Sequence, residues 1–557
     1  MQIDVQARCL DCGHQVPYTS GLTHCPKCGS AWLEAVYDYD VVRRLWTEQM
    51  AYRPFDLWRY HELLPVEEVP PPMHMGEGGT PLFPAQNLGM MLKQPNIYVK
   101  DERQNPTSSF KDRQAAVTIA VLKEAGLTDV VVASTGNVAI AYSAYASRAG
   151  IKLWAFVSSS VPLEKMREIA IYGTQVVKVT GTYDQTKQVA ARFAQERGLY
   201  LDRGARSIPT VESMKTLAFE IAEQLAILQP TSRYGGRRWV APDWYVQAVS
   251  GGLGPLGVAK GFRELYRMGL IDKMPKLAIV QSAGCDPMVR AWEKDSLQPE
   301  DVAVPRTHIT TLGTGRPGRT YTLLYEYVKE HGGIFLRVTD EEAFRAMHMM
   351  AKMEGLSMEP AAAVAFAGLT QLVRQGVIQP HETVVVNCTG HTMPIESHIL
   401  GEKWAEEVTA EEALAEDFPS EGLLTALSGL SPQYHAKVLI VDDHEPARIL
   451  FRRILQSLGN YQLLEAPDGP TALRLAKEAK PNLIILDLMM PGMDGFQVLE
   501  ALKADPETAH IPVIVVTAKH LTEAEHRRIE ALARSLLFKG EFLSDEFFEE
   551  IRALLEE

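Results

Sequence analysis

No stretch of this sequence is apolar for the roughly 18 residues that a membrane-crossing helix needs, so no such helix is expected. The opening residues, MQIDVQARC, hold no apolar segment of the kind that directs secretion, and the expected location is the cytoplasm. Cysteine is scarce, with six in 557 residues. That excludes a disulfide framework, and in a reducing compartment paired cysteines read as metal ligands. Clusters of basic residues are missing too. With 56 Lys and Arg against 70 Asp and Glu, the net charge of −14 argues against nucleic acid or an anionic membrane as the main partner. The sequence shows no internal repeat and no low-complexity tract. What remains is an ordinary globular composition, 46% hydrophobic and 23% charged, long enough for about three or four structural units.

Four segments follow from the changes of pattern. Residues 1–34 form a small cysteine module. Residues 35–400 alternate apolar strand-like runs with amphipathic helical ones, for example DVVVAST before NVAIAYSAYASRAG and KLWAFVS before PLEKMREIAIYG. This alternation predicts an α/β region with a mostly parallel sheet. Residues 401–435 are acidic and then turn-rich, and read equally as a linker or as a terminal helix packed on the middle domain. Residues 436–557 are again α/β, with strands expected at KVLIVDD, PNLIILDLMM, IPVIVVTAK and SLLFKG and a fifth at YQLLEAP.

Two C-x-x-C pairs, Cys9 with Cys12 and Cys25 with Cys28, are each followed by a glycine, Gly13 and Gly29. Two such knuckles supply four thiolates for a tetrahedral zinc, which stabilises a segment too short for its own core. Four ligands leave no open position, so this site is expected to be structural. A degenerate ribbon without metal is the alternative. Cys285 and Cys388 read as core residues.

In the middle region one lysine, Lys111, stands in SSFKDR just before the helical run QAAVTIAVLKEAG. Alone it would read as a surface charge. Three further segments change that reading. ASTGNVA (133–139) is a strand-to-helix turn with Asn137 placed to hydrogen-bond a ring oxygen. VSGGLGPLG (249–257) puts glycines between a strand and a helix, where backbone N–H groups can approach a phosphate. VVVNCTGH (384–391) ends a strand at Thr389, whose hydroxyl could face a pyridine nitrogen.

These elements, in this order, resemble threonine synthase of the fold-type II pyridoxal-phosphate (PLP) enzymes. The shared features are the cysteine ribbon with YDYD, GEGGTPL (76–82), KDERQNPTSSFKDR (100–113), STGN (134–137), ESMKTLAFE (212–220), EGLSMEPAAA (354–363) and TGH (389–391). The resemblance implies a tryptophan synthase β-like fold and a lyase of amino-acid biosynthesis that converts O-phosphohomoserine to threonine and phosphate. It further implies that Lys111 links covalently to PLP and shuttles protons, and that Asn137 contacts the PLP hydroxyl. Gly251, Gly252, Leu253 and Gly254 would cradle its phosphate, and Thr389 would meet its pyridine nitrogen. Ser134 and Thr135 would bind the substrate carboxylate. A homodimer is also expected.

Several positions depart from the family pattern. Ser108 and Gln114 replace glycines around the lysine, and Val138 replaces a threonine after STGN. Thr210 stands where the family carries an arginine that grips the substrate phosphate. The phosphate loop reads Ser-Gly-Gly-Leu-Gly without asparagines, and TGHTMPI replaces TGHGLKD. Arg206, Arg316 and Arg319 are the cations that could compensate. Two alternatives therefore stay open: a β-eliminating or β-replacing enzyme acting on serine, threonine or a related amino acid, and a low-turnover scaffold in a two-component pathway.

In 436–557, Asp442 and Asp443 end the first strand, Asp487 the third, Thr517 the fourth and Lys539 the fifth. Strand C-termini of a doubly wound sheet share one edge, so these residues converge. Three carboxylates suit Mg²⁺, a hard cation, and an aspartate can carry a phosphoryl group. The segment resembles the flavodoxin-like (βα)5 receiver domain of response regulators. That resemblance implies phosphorylation of Asp487 by a histidine kinase or phosphotransfer protein, with Thr517 and Lys539 contacting the phosphoryl group. Leu536 stands where the switch aromatic is usual and Gly540 where a proline follows the lysine. The output is therefore expected to be dimerisation or docking, or the module serves assembly alone.

Overall fold

A computed structural model describes residues 4–67, 74–158, 161–229, 239–391, 436–458, 461–517, 521–538, 551 and 554. The predicted linker and Lys539 lie outside these. The chain divides into two compact units, one drawn from 1–85, 96–347 and 357–396, the other from 86–95, 348–356 and 397–557. The sequence, read as successive blocks, does not suggest the two short excursions.

The cysteine module is a three-stranded antiparallel sheet with the order Gln15–Pro17, Gln6–Cys9, Leu33–Val36. Each knuckle is a tight turn in which a glycine N–H donates back to a cysteine carbonyl, Gly13 to Cys9 at 3.0 Å and Gly29 to Cys25 at 2.9 Å. Both glycines are left-handed, with φ of 69° and 74°, a conformation that a Cβ disfavours. The two turns bring the four cysteine sulfurs within 4.8 Å of one another.

The middle region contains two sheets. One is six-stranded, in the order Gly333–Val338, Lys276–Ser282, Trp244–Ala248, Val384–Cys388, Ile97–Asp101, Leu82–Pro84. It is parallel except at its last pair, Ile97–Asp101 with Leu82–Pro84, which is antiparallel. The other is parallel and four-stranded: Gln175–Val179, Lys152–Ser158, Asp129–Ser134, Tyr200–Leu201. The central strands Lys276–Ser282, Trp244–Ala248 and Val384–Cys388 are buried almost throughout, as apolar runs covered on both faces must be. The helices Lys111–Glu124 and Ile208–Leu228 are buried along most of their length, including polar residues such as Arg113 and Glu220 that need partners inside the core.

The buried charges at the centre of this core are paired. Arg113 lies between Glu102 (2.7 Å) and Glu220 (2.6 Å), and Lys100 also reaches Glu220 at 2.6 Å; all four side chains are fully buried. Arg113 Nη2 adds Thr80 and Arg113 Nη1 adds Thr216. An ion cluster out of water needs all of these partners to offset its desolvation.

The C-terminal sheet has five parallel strands in the order Tyr461–Ala466, Ala436–Val441, Leu483–Asp487, Val513–Thr517, Ser535–Phe538. YQLLEAP is thus a strand, as expected, and the order is doubly wound with a switch point between the first and third strands. Helices Gly469–Ala479 and Gly495–Ala504 start at Asp468 and Asp494, whose side chains accept from the backbone N–H of Thr471 and Gln497.

Candidate active site and phosphoacceptor cluster

One cavity in the first unit gathers the ends of separate elements. Its walls include Phe110 and Lys111, Thr135, Asn137 and Val138, residues 247–255, Thr311, Leu312, Glu359, Ala361 and Thr389. Of the residues expected at a cofactor site, Lys111, Asn137, Gly251, Gly252, Leu253, Gly254 and Thr389 all line it, as does Thr135.

Lys111 is the first residue of its helix, slightly earlier than the sequence suggests. The segment before it is stitched to the turn after Val384–Cys388. Phe110 N–H donates to Thr389 O at 3.0 Å, His391 N–H donates to Ser108 O at 3.0 Å, and Ser109 pairs with Gly390. This fixes the lysine against the Thr389 wall. Burial pushes the Lys111 ammonium down to about 8, partly opposed by the carboxylates of Asp202 and Glu359. Ser108, in a family glycine position, has φ of 60°. The backbone there has kept the glycine conformation without the glycine.

The glycine loop meets the start of helix Leu253–Arg267. Gly252 caps that helix at φ 86° and, being glycine, offers its first turn no side-chain cap. A Cβ on Gly252 would stand 2.8 Å from Leu324 Cδ1, and one on Gly254 only 2.2 Å from Gln247 Nε2. A glycine-built helix start that lines the cavity, where side chains at 252 and 254 would clash, is the kind of place where backbone N–H groups can approach a phosphate.

On the opposite wall, Asn137 Nδ2 donates to both oxygens of Glu359, at 2.9 and 3.0 Å, and Lys165 Nζ donates to Asn137 Oδ1 at 3.2 Å. Neither Glu359 nor Lys165 was singled out from the sequence. Glu359 sat inside the EGLSMEPAAA motif, which was the only available signal. Val138 lines the cavity with an apolar side chain in place of a hydroxyl.

Ser134 corrects the sequence reading. Its hydroxyl is buried and accepts from the N–H groups of Gly136 and Ala139, both at 3.0 Å, so its side chain secures the turn and does not line the cavity. The compensating cations are not there either. Arg319 pairs with Asp11 on the ribbon and Arg316 with Asp301, and Arg206 does not line the cavity. Thr210 and Gln114, two of the departures, converge on one carboxylate that sequence reasoning missed. Asp202 Oδ1 accepts from Thr210 Oγ1 (3.1 Å) and Gly204 N–H (3.0 Å); its Oδ2 accepts from Tyr142 Oη (2.6 Å) and Gln114 Nε2 (3.0 Å). Among the described residues, Lys111 is the one cation lining the cavity.

In the second unit, carboxylate oxygens of Asp442, Asp443 and Asp487 lie within 4.8 Å of one another at the sheet edge. Asp442 and Asp487 are buried and Asp443 is exposed. Thr517 ends the neighbouring strand and is fully buried. Leu536 packs on the core of this unit.

Residues 73–390 match the family model described as pyridoxal-phosphate dependent enzyme, and residues 438–552 match the response regulator receiver domain. The chain is 33% identical over 386 residues to the threonine synthase of Methanocaldococcus jannaschii, covering 69% of this chain and 91% of that protein. It is 33% identical over 389 residues to the threonine synthase of Methanosarcina acetivorans, covering the same shares of each. No helix among the described residues is long and apolar enough to cross a membrane.

Proposed function

We propose, from the premise that this chain belongs to the pyridoxal-phosphate dependent enzyme family, that Lys111 carries an amino-acid lyase reaction whose output depends on a phosphoryl group at Asp487. The lyase class itself follows from the family and from the threonine synthase relatives.

The cavity fits PLP on three features of its own: a helix start built of glycines, crowded at 252 and 254, an amide on one wall, and a lysine whose proton is loosely held. In this reading 251–254 hold the cofactor phosphate, Asn137 the ring hydroxyl and Thr389 the pyridine nitrogen. Bound PLP supplies an electron sink for charge developed beside the amino group. Lys111 then serves as the base and acid that moves protons at the substrate carbons. With its pKa near 8, a usable share of the amine is neutral near physiological pH. Thr135 and the adjoining backbone would bind the substrate carboxylate.

The observation that carries the reading is the meeting of Lys111 with the glycine cradle and Thr389 in one cavity. The first substrate to test is O-phosphohomoserine: phosphate leaves the γ-carbon, water adds at the β-carbon, and threonine results. A second reading, elimination or replacement at the β-carbon of serine, threonine or a related amino acid, is favoured by the Asp202 cluster. Phosphate is held best by charge-assisted bonds, and the position that could supply an arginine instead spends a hydroxyl on a carboxylate. One experiment separates the two. Lys111-dependent release of phosphate and threonine together from O-phosphohomoserine establishes the first. PLP-loaded protein that releases neither, yet forms an oxo acid and ammonia from serine or threonine, establishes the second.

The reading extends to the other modules. Cys9, Cys12, Cys25 and Cys28 would hold a structural zinc, supported by four sulfurs at mutual distances that suit Zn–S bonds of about 2.3 Å. Asp442, Asp443 and Asp487 would hold Mg²⁺, and Asp487 would accept a phosphoryl group from a histidine kinase or phosphotransfer protein, with Thr517 and Lys539 beside it. The enzyme would work in the cytoplasm as a homodimer.

A further inference from the structure

The amide of Asn137 is gripped at both ends by groups of opposite hydrogen-bonding character. Its nitrogen donates to a carboxylate, Glu359, and its oxygen accepts from an ammonium, Lys165. A carboxylate only accepts and an ammonium only donates. Turning the amide over would set oxygen against Glu359 and nitrogen against Lys165, so only one orientation is compatible with both neighbours. Lys165 and Glu359 also face each other at 3.4 Å, which closes a three-member ring of contacts.

The ring is itself anchored. The Glu359 N–H donates to Gly390 O at 3.1 Å, and a Cβ on Gly390 would stand 2.6 Å from Glu359 Oε1. Gly390 pairs with Ser109, two residues before Lys111. Gly136, at the start of the Asn137 helix, has its Cβ position 3.1 Å from Lys165 Cδ. Glu359 and Lys165 are both about 95% buried, each 5% exposed, so water competes little for these bonds. An amide nitrogen carries two hydrogens. The carboxylate takes one, and the other remains for an acceptor in the cavity that Asn137 and Glu359 line together.

We propose that Glu359 and Lys165 are positioning residues that lock the Asn137 amide with an N–H toward the cavity, so that the site presents a fixed donor to an anionic ring oxygen. This rests on the reading that the cavity takes PLP, and deepens it by assigning two residues that act through Asn137.

The test uses the full-length holoenzyme and three single variants, Glu359→Gln, Lys165→Met and Asn137→Ala, with the double variant Asn137→Ala/Glu359→Gln. The readouts are the visible absorbance of the bound cofactor and its dissociation constant by dialysis. Circular dichroism reports on folding. A glutamine at 359 both donates and accepts, which removes the bar to turning the amide over. Glu359→Gln and Lys165→Met are each expected to weaken PLP retention by about tenfold, the worth of one charge-assisted bond, and to move the absorbance maximum as Asn137→Ala does. The double variant is expected to lose no more than Asn137→Ala alone, because Glu359 acts through that amide. Folded Glu359→Gln and Lys165→Met proteins with the wild-type spectrum and retention within twofold would overturn the inference, as would full additivity in the double variant. Should Glu359→Gln fail to fold, Lys165→Met and Asn137→Ala decide the matter. A wild-type protein that shows no visible band with PLP overturns the cofactor reading and the inference with it; a normal wild-type band with silent variants overturns the inference alone.

Discussion

Lys111 shows what burial does to a functional cation. Taking the ammonium out of water favours its neutral form, and the two nearby carboxylates only partly restore the charge. The amine that reacts with an aldehyde is the neutral one. The rate at which apo-protein takes up PLP into its visible-absorbing form should therefore rise with pH through a midpoint near 8 and level off above it. Lys111→Ala should show no such form at any pH. Stopped-flow absorbance across pH 6.5–9.5, roughly the range that brackets this midpoint, checks both. Three residues away, Ser108 sits at φ 60° with a Cβ that this region disfavours. Ser108→Gly should stabilise the protein by about 0.5–1 kcal/mol in urea or thermal denaturation, since relieved strain exceeds the added chain entropy. A β-branched residue there should destabilise it. The sequence exposed the missing glycine but not the retained backbone conformation, because a φ angle is imposed by the bonds on either side, here from Asn105 and His391.

At the scale of elements, the strand ends and the glycine loop were legible because each is announced locally, by an apolar run and then a turn. The loop predicts its own mutational pattern. A Cβ on Gly251 meets nothing closer than 3.8 Å, whereas Gly252 is left-handed and crowded by Leu324, Met288 and Thr320. Gly252→Ala should lose PLP retention by tenfold or more, on the order of 1.4 kcal/mol or above, and Gly251→Ala should lose much less in the same dialysis. The pairings between elements were not legible. Asp202 gathers Gln114 from 88 positions away, and Arg113 reaches Glu220 across 107 positions. Burial alone would raise the Glu220 carboxyl, but Arg113 and Lys100 outweigh it and bring it down to about 2. A carboxyl whose folded pKa lies below its unfolded value near 4.5 gives stability that is present above that value. This stability drains away as pH falls from 4.5 toward 2. Glu220→Gln should cost about 3–5 kcal/mol at neutral pH, because it leaves buried cations short of charge, and should flatten the acid limb of the stability curve. Urea titrations of both proteins at several pH values check the size and the sign.

For the whole molecule, the lack of a long apolar run argued against a membrane-crossing helix, and the ordered motifs placed an enzyme ahead of a receiver. Composition could not reveal that 86–95 and 348–356 group with the second unit, since that grouping depends on contacts and not on pattern. Joining the two modules in one chain matters only if the chemistry at one is felt at the other. Under the proposed function a phosphoryl group would add about two negative charges to an edge where Asp442, Asp443 and Asp487 already crowd within 4.8 Å, and Mg²⁺ would offset part of that charge. Leu536 is packed on the domain core where an aromatic is usual, so under the proposed function a response to phosphorylation would travel by charge and assembly. Acetyl phosphate with Mg²⁺ should thus change either kcat or the oligomeric state of the wild-type enzyme, and Asp487→Asn should abolish that change while leaving basal turnover intact. Steady-state kinetics and light scattering on both proteins, with and without Mg²⁺, read the effect. Identical behaviour of wild type and Asp487→Asn throughout would reduce the receiver to a passive module.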